Sequence, residues 1–230
     1  MIPRPIGRVL GFVLGVVLSA ACHADGASIA KEGVGAALAC QTCHGAAGEG
    51  AAQAGFPRLA SLGAAYLQRQ LGAFADGSRV SAVMMPIAKA LSAADRIAVA
   101  AYYAALPVPT APAAARPVAT ASTPASSPAS SPASASAPAG ATLATRGRWA
   151  DKLPACEQCH GPGGQGVGPD FPALAGQGAL YLANQLTAWK TGARPPGPMG
   201  LMAVVAKKLS ESDVRAVADH FAALPAGAVR

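Results

Sequence analysis

A five-residue pattern, Cys-x-x-Cys-His, occurs twice in the chain and constrains its fold more than any other feature. The two copies are Cys40-Gln41-Thr42-Cys43-His44 and Cys156-Glu157-Gln158-Cys159-His160. This spacing is typical of covalent c-type haem attachment, in which both thiols add to the haem vinyl groups and the adjacent histidine becomes an axial iron ligand. Cysteines three residues apart share one face of a helical turn, which suits two bonds to one flat group.

The cysteine count also indicates a cofactor framework. Four of the five cysteines belong to the two motifs, so no second pair remains for a structural disulfide. Aromatic residues make up only 5% of the chain, so its hydrophobic cores are small unless another apolar group fills them. We therefore predict two covalently bound haem c groups, held by Cys40 and Cys43 and by Cys156 and Cys159, with His44 and His160 as iron ligands.

The regions around the two motifs are repeats. Residues 56–60, Phe-Pro-Arg-Leu-Ala, match residues 171–175, Phe-Pro-Ala-Leu-Ala, and the Tyr-Leu-x-x-Gln-Leu segments at 66–71 and 181–186 match at the same spacing. Further on, Leu91-Ser92 matches Leu209-Ser210 after a short insertion. The repeat predicts two haem domains, residues 25–107 and 143–230.

Periodicity within each repeat is helical. Leu67, Leu71 and Phe74 fall on one face of a helix predicted from about Ala64 to Ala75. A last helix begins at Ser92, with Asp95 in the position of a capping box. The fold class we predict is all-α, with short loops around each haem.

The two remaining segments differ from the domains in composition. Residues 1–24 carry Arg4 and Arg8, an apolar run short of the ~20 residues that span a bilayer, and then small residues, so we expect an export signal and a periplasmic protein. A lipidated Cys22 or a retained anchor are the alternatives, and any membrane association is expected to be peripheral. Residues 108–142 are nearly all Pro, Ala, Ser and Thr, which predicts a disordered linker.

The positive charge does not indicate a nucleic-acid-binding protein. The formal net charge is +7, but Arg4 and Arg8 lie in the expected signal, and the carboxylates of two haems offset part of the rest. The basic residues are scattered, with Lys207-Lys208 the one adjacent pair in the two domains. We expect protein redox partners and no nucleic acid.

A methionine in each domain completes the predicted metal site. The candidates are Met84, Met85, Met199 and Met202. Counting back from the shared Leu-Ser pair, Met84 and Met202 occupy equivalent positions, whereas Met85 aligns with an alanine and Met199 with no methionine. We therefore predict Met84 and Met202 as sixth ligands, with Met199 as the alternative in the second domain, since a thioether favours ferrous iron and blocks access to it.

Two other repeated residue pairs have open interpretations. Pro57 and Pro172 are placed where a carbonyl can accept the hydrogen bond of the axial histidine, although a simple turn explains them equally well. Arg79 and Arg194 either pair with haem propionates or end a solvated helix.

With these motifs the chain resembles the class I c-type cytochromes, and above all the dihaem cytochrome c4 group. The resemblance covers most of both repeats. It implies an all-helical module with crossing terminal helices, His/Met ligation, and periplasmic electron transfer from a quinol-oxidising complex or dehydrogenase to a terminal oxidase or another cytochrome. In that group the domains follow each other closely, whereas here a long linker intervenes and leaves open whether they pack together.

The expected function is that of an electron carrier rather than an enzyme, because both repeats supply a methionine and neither motif has an acid–base cluster beside it. A dedicated electron-transfer subunit of a dehydrogenase or oxidase is the first alternative. A dihaem enzyme such as a peroxidase is the second.

Overall fold

The computed structural model describes residues 25–109 and 133–226, and both parts are helical. Within these ranges β-pairing is limited to isolated bridges, which confirms the all-α prediction. No helix in the described part of the chain is long and apolar enough to cross a membrane. The expected export signal, 1–24, and residues 110–132 of the expected linker lie outside the described residues.

The first domain contains five α-helices in its described part. They are α1 (Gly26–Glu32), α2 (Gln41–His44), α3 (Ala64–Ala75), α4 (Met84–Ala90) and α5 (Ala93–Ala105). Helix α3 has the bounds that the periodicity predicts. Helix α5 begins after Ser92, whose Oγ accepts the Asp95 N–H at 3.1 Å while the Asp95 carboxylate accepts the Ser92 N–H at 3.0 Å, so the predicted capping box is present.

The second domain repeats this order. Its helices are α6 (Ala133–Thr145), α7 (Glu157–His160), α8 (Ala179–Thr191), α9 (Leu201–Lys207) and α10 (Glu211–Ala223). A capping box at Ser210 and Asp213 again begins the last helix. Each domain therefore has a first helix, a motif helix, a long middle helix, a short methionine helix and a long last helix.

Helix α6 differs from the sequence prediction, because it begins at Ala133, well inside the expected linker of 108–142. Although this segment is rich in Ala and Ser, it forms a helix that packs on α10, as α1 packs on α5. Leu143 and Ala144 from its last turn are buried in the core of the second domain. Tertiary packing, rather than an amphipathic pattern, stabilises α6.

The first and last helices of each domain cross at a glycine. A Cβ atom added at Gly26 would lie 2.2 Å from the carbonyl oxygen of Ala98, and one at Gly140 would lie 2.1 Å from that of Ala216. The helices approach so closely that only hydrogen fits between them. The crossing helices implied by the family resemblance are thus present in both domains.

We expect Gly140→Ala to destabilise the protein by about 1–3 kcal/mol, because the added methyl group must push α6 away from α10. Gly72→Ala is the matched control, since Gly72 lies inside α3 and an added Cβ would meet nothing within 4 Å beyond its chain neighbours and the backbone of its own helix. That change should stabilise the helix by about 0.5–1 kcal/mol. Chemical denaturation followed by circular dichroism measures both, and equal effects of the same sign would contradict the close crossing.

The two domains pack against each other in this structure. On one side Arg69 of α3 forms a 3.0 Å ion pair with Asp170 and donates a hydrogen bond to the Pro169 carbonyl. Ala173 of the second domain is buried in the hydrophobic core of the first, in the cluster that also contains Leu62. The two domains therefore pack together despite the long linker between them.

Candidate haem sites

Each motif histidine is buried and oriented by one hydrogen bond. His44 ends α2, and its Nδ1 lies 2.9 Å from the Pro57 carbonyl oxygen, while His160 ends α7 with Nδ1 2.8 Å from that of Pro172. Both proline carbonyls therefore accept the histidine hydrogen bond that was one of their two interpretations from sequence. A carbonyl only accepts, so Nδ1 carries the proton and Nε2 keeps its lone pair. Burial lowers the pKa of both imidazoles, which keeps that lone pair free at neutral pH.

The four motif cysteines are unpaired thiols in the described part of the chain. Cys40 and Cys156 immediately precede the two short helices, and Cys43 and Cys159 lie within them, so each pair projects from a single turn. Burial raises the pKa of the Cys40 thiol, and it raises that of Cys156 to about 11.

A cavity adjoins each motif. The cavity of the first domain has a volume of about 460 Å³, and Cys40, Cys43 and His44 line it. The cavity of the second domain has a volume of about 540 Å³, and the corresponding Cys156, Cys159 and His160 line it. Apolar side chains form most of both walls, including Leu67, Leu71 and Phe74 in the first domain.

The predicted methionines lie at these same cavities. Met84 begins α4 and lines the cavity of His44, whereas Met85 is not among its lining residues. In the second domain Met202, in the first turn of α9, lines the cavity of His160 and is half-buried. Met199 lines it too, but it is 73% exposed and has a φ of 61°. The structure brings each predicted histidine and methionine to one cavity.

Six side chains line both cavities and form a hydrogen-bonded cluster between the domains, here called the interface cluster. Its members are Tyr66, Gln70, Arg79, Tyr181, Gln185 and Arg194. Arg79 donates to Gln70 Oε1 at 2.7 Å and to Gln185 Oε1 at 2.6 Å, and Arg194 donates to the same two oxygens at 3.0 Å each. The second nitrogen of each arginine also reaches the tyrosine hydroxyl of the other domain.

Both arginines are buried, at 6% and 7% exposure, so the solvated helix end is the wrong alternative for them. Arg79 stacks over the Phe74 ring at 4.4 Å and Arg194 over the Trp189 ring at 3.9 Å. No carboxylate of the described residues lies within ion-pair distance of either guanidinium. Two buried cations without protein counter-ions, at the edges of two cavities, suit a ligand that carries its own carboxylates.

The residues present therefore fit haem c in both domains. Each cavity has apolar walls for a flat ring, two thiols from one helical turn, an imidazole with a free Nε2, and a thioether. The shared arginines would face the acidic edge of such a group.

Sequence reasoning missed the shared role of the interface cluster. Its signal was available, because Tyr66, Gln70 and Arg79 recur at the same spacing in the second repeat. It missed Gln177 for a different reason, since the first repeat has Leu62 at the equivalent position and offers no pattern.

The fold and both sites define a tandem haem protein of the cytochrome type. The family model described as cytochrome c matches the chain twice, over residues 23–106 and 137–224. The chain therefore belongs to the cytochrome c family, with two tandem domains, and family membership implies haem c as its cofactor. The second match starts inside α6, in agreement with that helix being part of the second domain.

Among curated relatives, the chain is 43% identical over 220 residues to a thiosulfate dehydrogenase electron acceptor of Stutzerimonas stutzeri, with 95% of this chain and 93% of the relative covered. The solved cytochrome c4 of Pseudomonas stutzeri superposes with a TM-score of 0.63 at 30% identity, over 80% of this chain and 93% of that one. These relatives transfer electrons, and the chain is accordingly an electron carrier and not an enzyme.

A third relative is a larger protein. The thiosulfate dehydrogenase TsdBA of Marichromatium purpuratum has a TM-score of 0.72 and 42% identity over 87% of this chain. This chain spans only 40% of the length of that one.

Proposed function

We propose that this protein is a periplasmic dihaem carrier whose two haems are each ligated by histidine and methionine, His44 with Met84 and His160 with Met202. The four motif cysteines attach the two groups covalently. The observation that carries the proposal is that both domains bring an oriented imidazole and an equivalent methionine to one cavity. Export through residues 1–24 places the protein on the side of the membrane where such attachment is made.

Bound haem supplies a one-electron iron couple to each cavity. The chain contributes the environment of that couple. The Pro57 and Pro172 carbonyls hold the imidazole rings in one tautomer, which raises the basicity of Nε2. The Met84 and Met202 thioethers would bind the iron and exclude water and small oxidants from it. Because the interface cluster lines both cavities, it offers a compact route for electrons between the two domains.

We further propose that the electron donor is a thiosulfate-oxidising dehydrogenase. The names of the relatives at 43% identity support this choice over a general respiratory donor. Of the two donors expected from the sequence, this proposal selects the dehydrogenase. The acceptor remains a terminal oxidase or another cytochrome. A quinol-oxidising complex is the competing donor.

The test mixes the oxidised holoprotein with a purified thiosulfate dehydrogenase and thiosulfate. We expect both haems to become reduced, with two electrons taken up per chain, at a rate that saturates with increasing carrier concentration. Omission of thiosulfate is the control. Reduction by a quinol-oxidising complex but not by the dehydrogenase would overturn the choice of donor, and a high-spin haem that reacts with peroxide would overturn closed His/Met sites.

A further inference from the structure

Two equivalent pairs of repeat positions at the domain interface differ in their chemistry. At the repeat spacing, Arg58 corresponds to Ala173 and Gln177 corresponds to Leu62. Arg58 and Gln177 form hydrogen bonds with each other across the interface, whereas Ala173 and Leu62 are both buried in one hydrophobic cluster. Two equivalent pairs in a repeated protein thus have different chemistry.

Arg58 and Gln177 form two reciprocal hydrogen bonds across the interface. The Arg58 N–H donates to Gln177 Oε1 at 2.8 Å, and Gln177 Nε2 donates to the Arg58 carbonyl at 3.1 Å. The Arg58 side chain also crosses the interface, since it donates to the Ala175 carbonyl at 3.1 Å, and it donates to the Ala60 carbonyl of its own domain. Arg58 is 2% exposed and Gln177 3% exposed, so water does not compete for these bonds.

This pair acts on the peptide unit that orients His44. The Pro57 carbonyl, which accepts from His44 Nδ1 at 2.9 Å, and the Arg58 N–H belong to one planar peptide group. A continuous chain of hydrogen bonds therefore runs from His44 through that peptide to Gln177. Because hydrogen bonds in such chains polarise one another, an acceptor on the N–H makes the carbonyl a stronger acceptor.

The second domain lacks this continuation. His160 donates to the Pro172 carbonyl at 2.8 Å, but the Ala173 N–H of that peptide has no hydrogen-bond acceptor among the described residues. The two axial histidines thus have the same first partner and different second partners.

We propose that Gln177 of the second domain is a positioning residue for His44 of the first, so that domain docking tunes one axial histidine much more than the other. The inference rests on the proposed function, because it assigns His44 to an iron. Gln177 fixes the Pro57–Arg58 peptide, strengthens the bond from Nδ1, and makes the ring a more basic ligand. A more basic ligand favours ferric iron in the first domain.

The test is Gln177→Leu in the full holoprotein, which installs the residue found at the equivalent position 62. We expect the Nδ1 proton of His44 to move upfield in the NMR spectrum and to exchange with solvent about tenfold faster. The corresponding signal of His160 should change much less, because Gln177 lines the His160 cavity but forms no hydrogen bond with the Pro172–Ala173 peptide. The midpoint potential of the first domain should rise, by up to a tenfold shift in its equilibrium, or about 59 mV for one electron.

The matched control is Arg69→Ala, which removes an interface ion pair without touching the Pro57–Arg58 peptide. It should leave both histidine signals in place. Equal changes at His44 and His160 in Gln177→Leu, or a change at neither, would overturn the inference. Failure of the proposed function looks different, because the unaltered protein would then lack the spectrum of two His/Met haems.

Discussion

Met202→Ala is expected to abolish half of the near-infrared absorption that arises from methionine bound to ferric iron. The side chain is half-buried in the first turn of α9 and lines the cavity of His160. Without it the second-domain iron loses its sixth ligand, becomes high-spin, and opens to cyanide or peroxide. Its midpoint potential should fall by on the order of 0.1–0.3 V, because thioether ligation is a main source of high potential in these sites.

Met199→Ala is the matched control for this experiment. Met199 lies at the same cavity three residues earlier, but it is 73% exposed and in the left-handed backbone region. We expect the full near-infrared band to remain in this variant. If Met199→Ala removes half of the band and Met202→Ala removes none, Met199 is the ligand of the second domain. Met84→Ala should remove the other half.

The local parts of both sites could be predicted from sequence because each depends on short-range geometry. A Cys-x-x-Cys-His turn places two thiols and an imidazole within one helical turn, and the Phe-Pro segment that follows supplies the carbonyl for Nδ1. The capping box at Ser92 likewise needs only residues three apart. The pairing of Met84 with His44 spans a longer distance, and the second copy of the repeat made it visible.

Helix α6 could not be predicted from its own residues. Small residues, one Pro and a single Leu give it no amphipathic pattern, and a similar Ala-, Ser- and Pro-rich composition fills the linker before it. What selects the helix is a distant partner, since Gly140 lets α6 lie against Ala216 of α10. Low-complexity composition therefore predicted a boundary at 142 where the structure has a helix from Ala133.

The packing of the two domains could not be predicted from sequence for a related reason. Its arginines, glutamines and tyrosines look like ordinary helix surface in either repeat alone, and only the pairing of two repeats buries them. A linker of Pro, Ala and Ser fixes no distance between its ends. The asymmetric pair of Arg58 and Gln177 was the least visible part, because repeats identify what is shared and not what differs.

Replacing both Arg79 and Arg194 with leucine is expected to separate the two domains. Each arginine donates to both Gln70 Oε1 and Gln185 Oε1, so either one alone keeps both oxygens partnered. Loss of both leaves two partly buried acceptors without these donors, at about 1 kcal/mol or more each. The destabilisation of the double variant should therefore exceed the sum of the single variants, and small-angle scattering should show a larger radius of gyration.

The double-mutant cycle distinguishes this cluster from ordinary interface charge. Arg69→Leu removes a partly exposed ion pair with Asp170 and should cost no more than about 1 kcal/mol, with no change in scattering. Additive single effects and an unchanged radius in the double variant would mean that the apolar cluster containing Leu62 and Ala173 holds the domains together. If the domains do separate, the His44 signals of the double variant should resemble those of Gln177→Leu, because both remove Gln177 from the Pro57–Arg58 peptide.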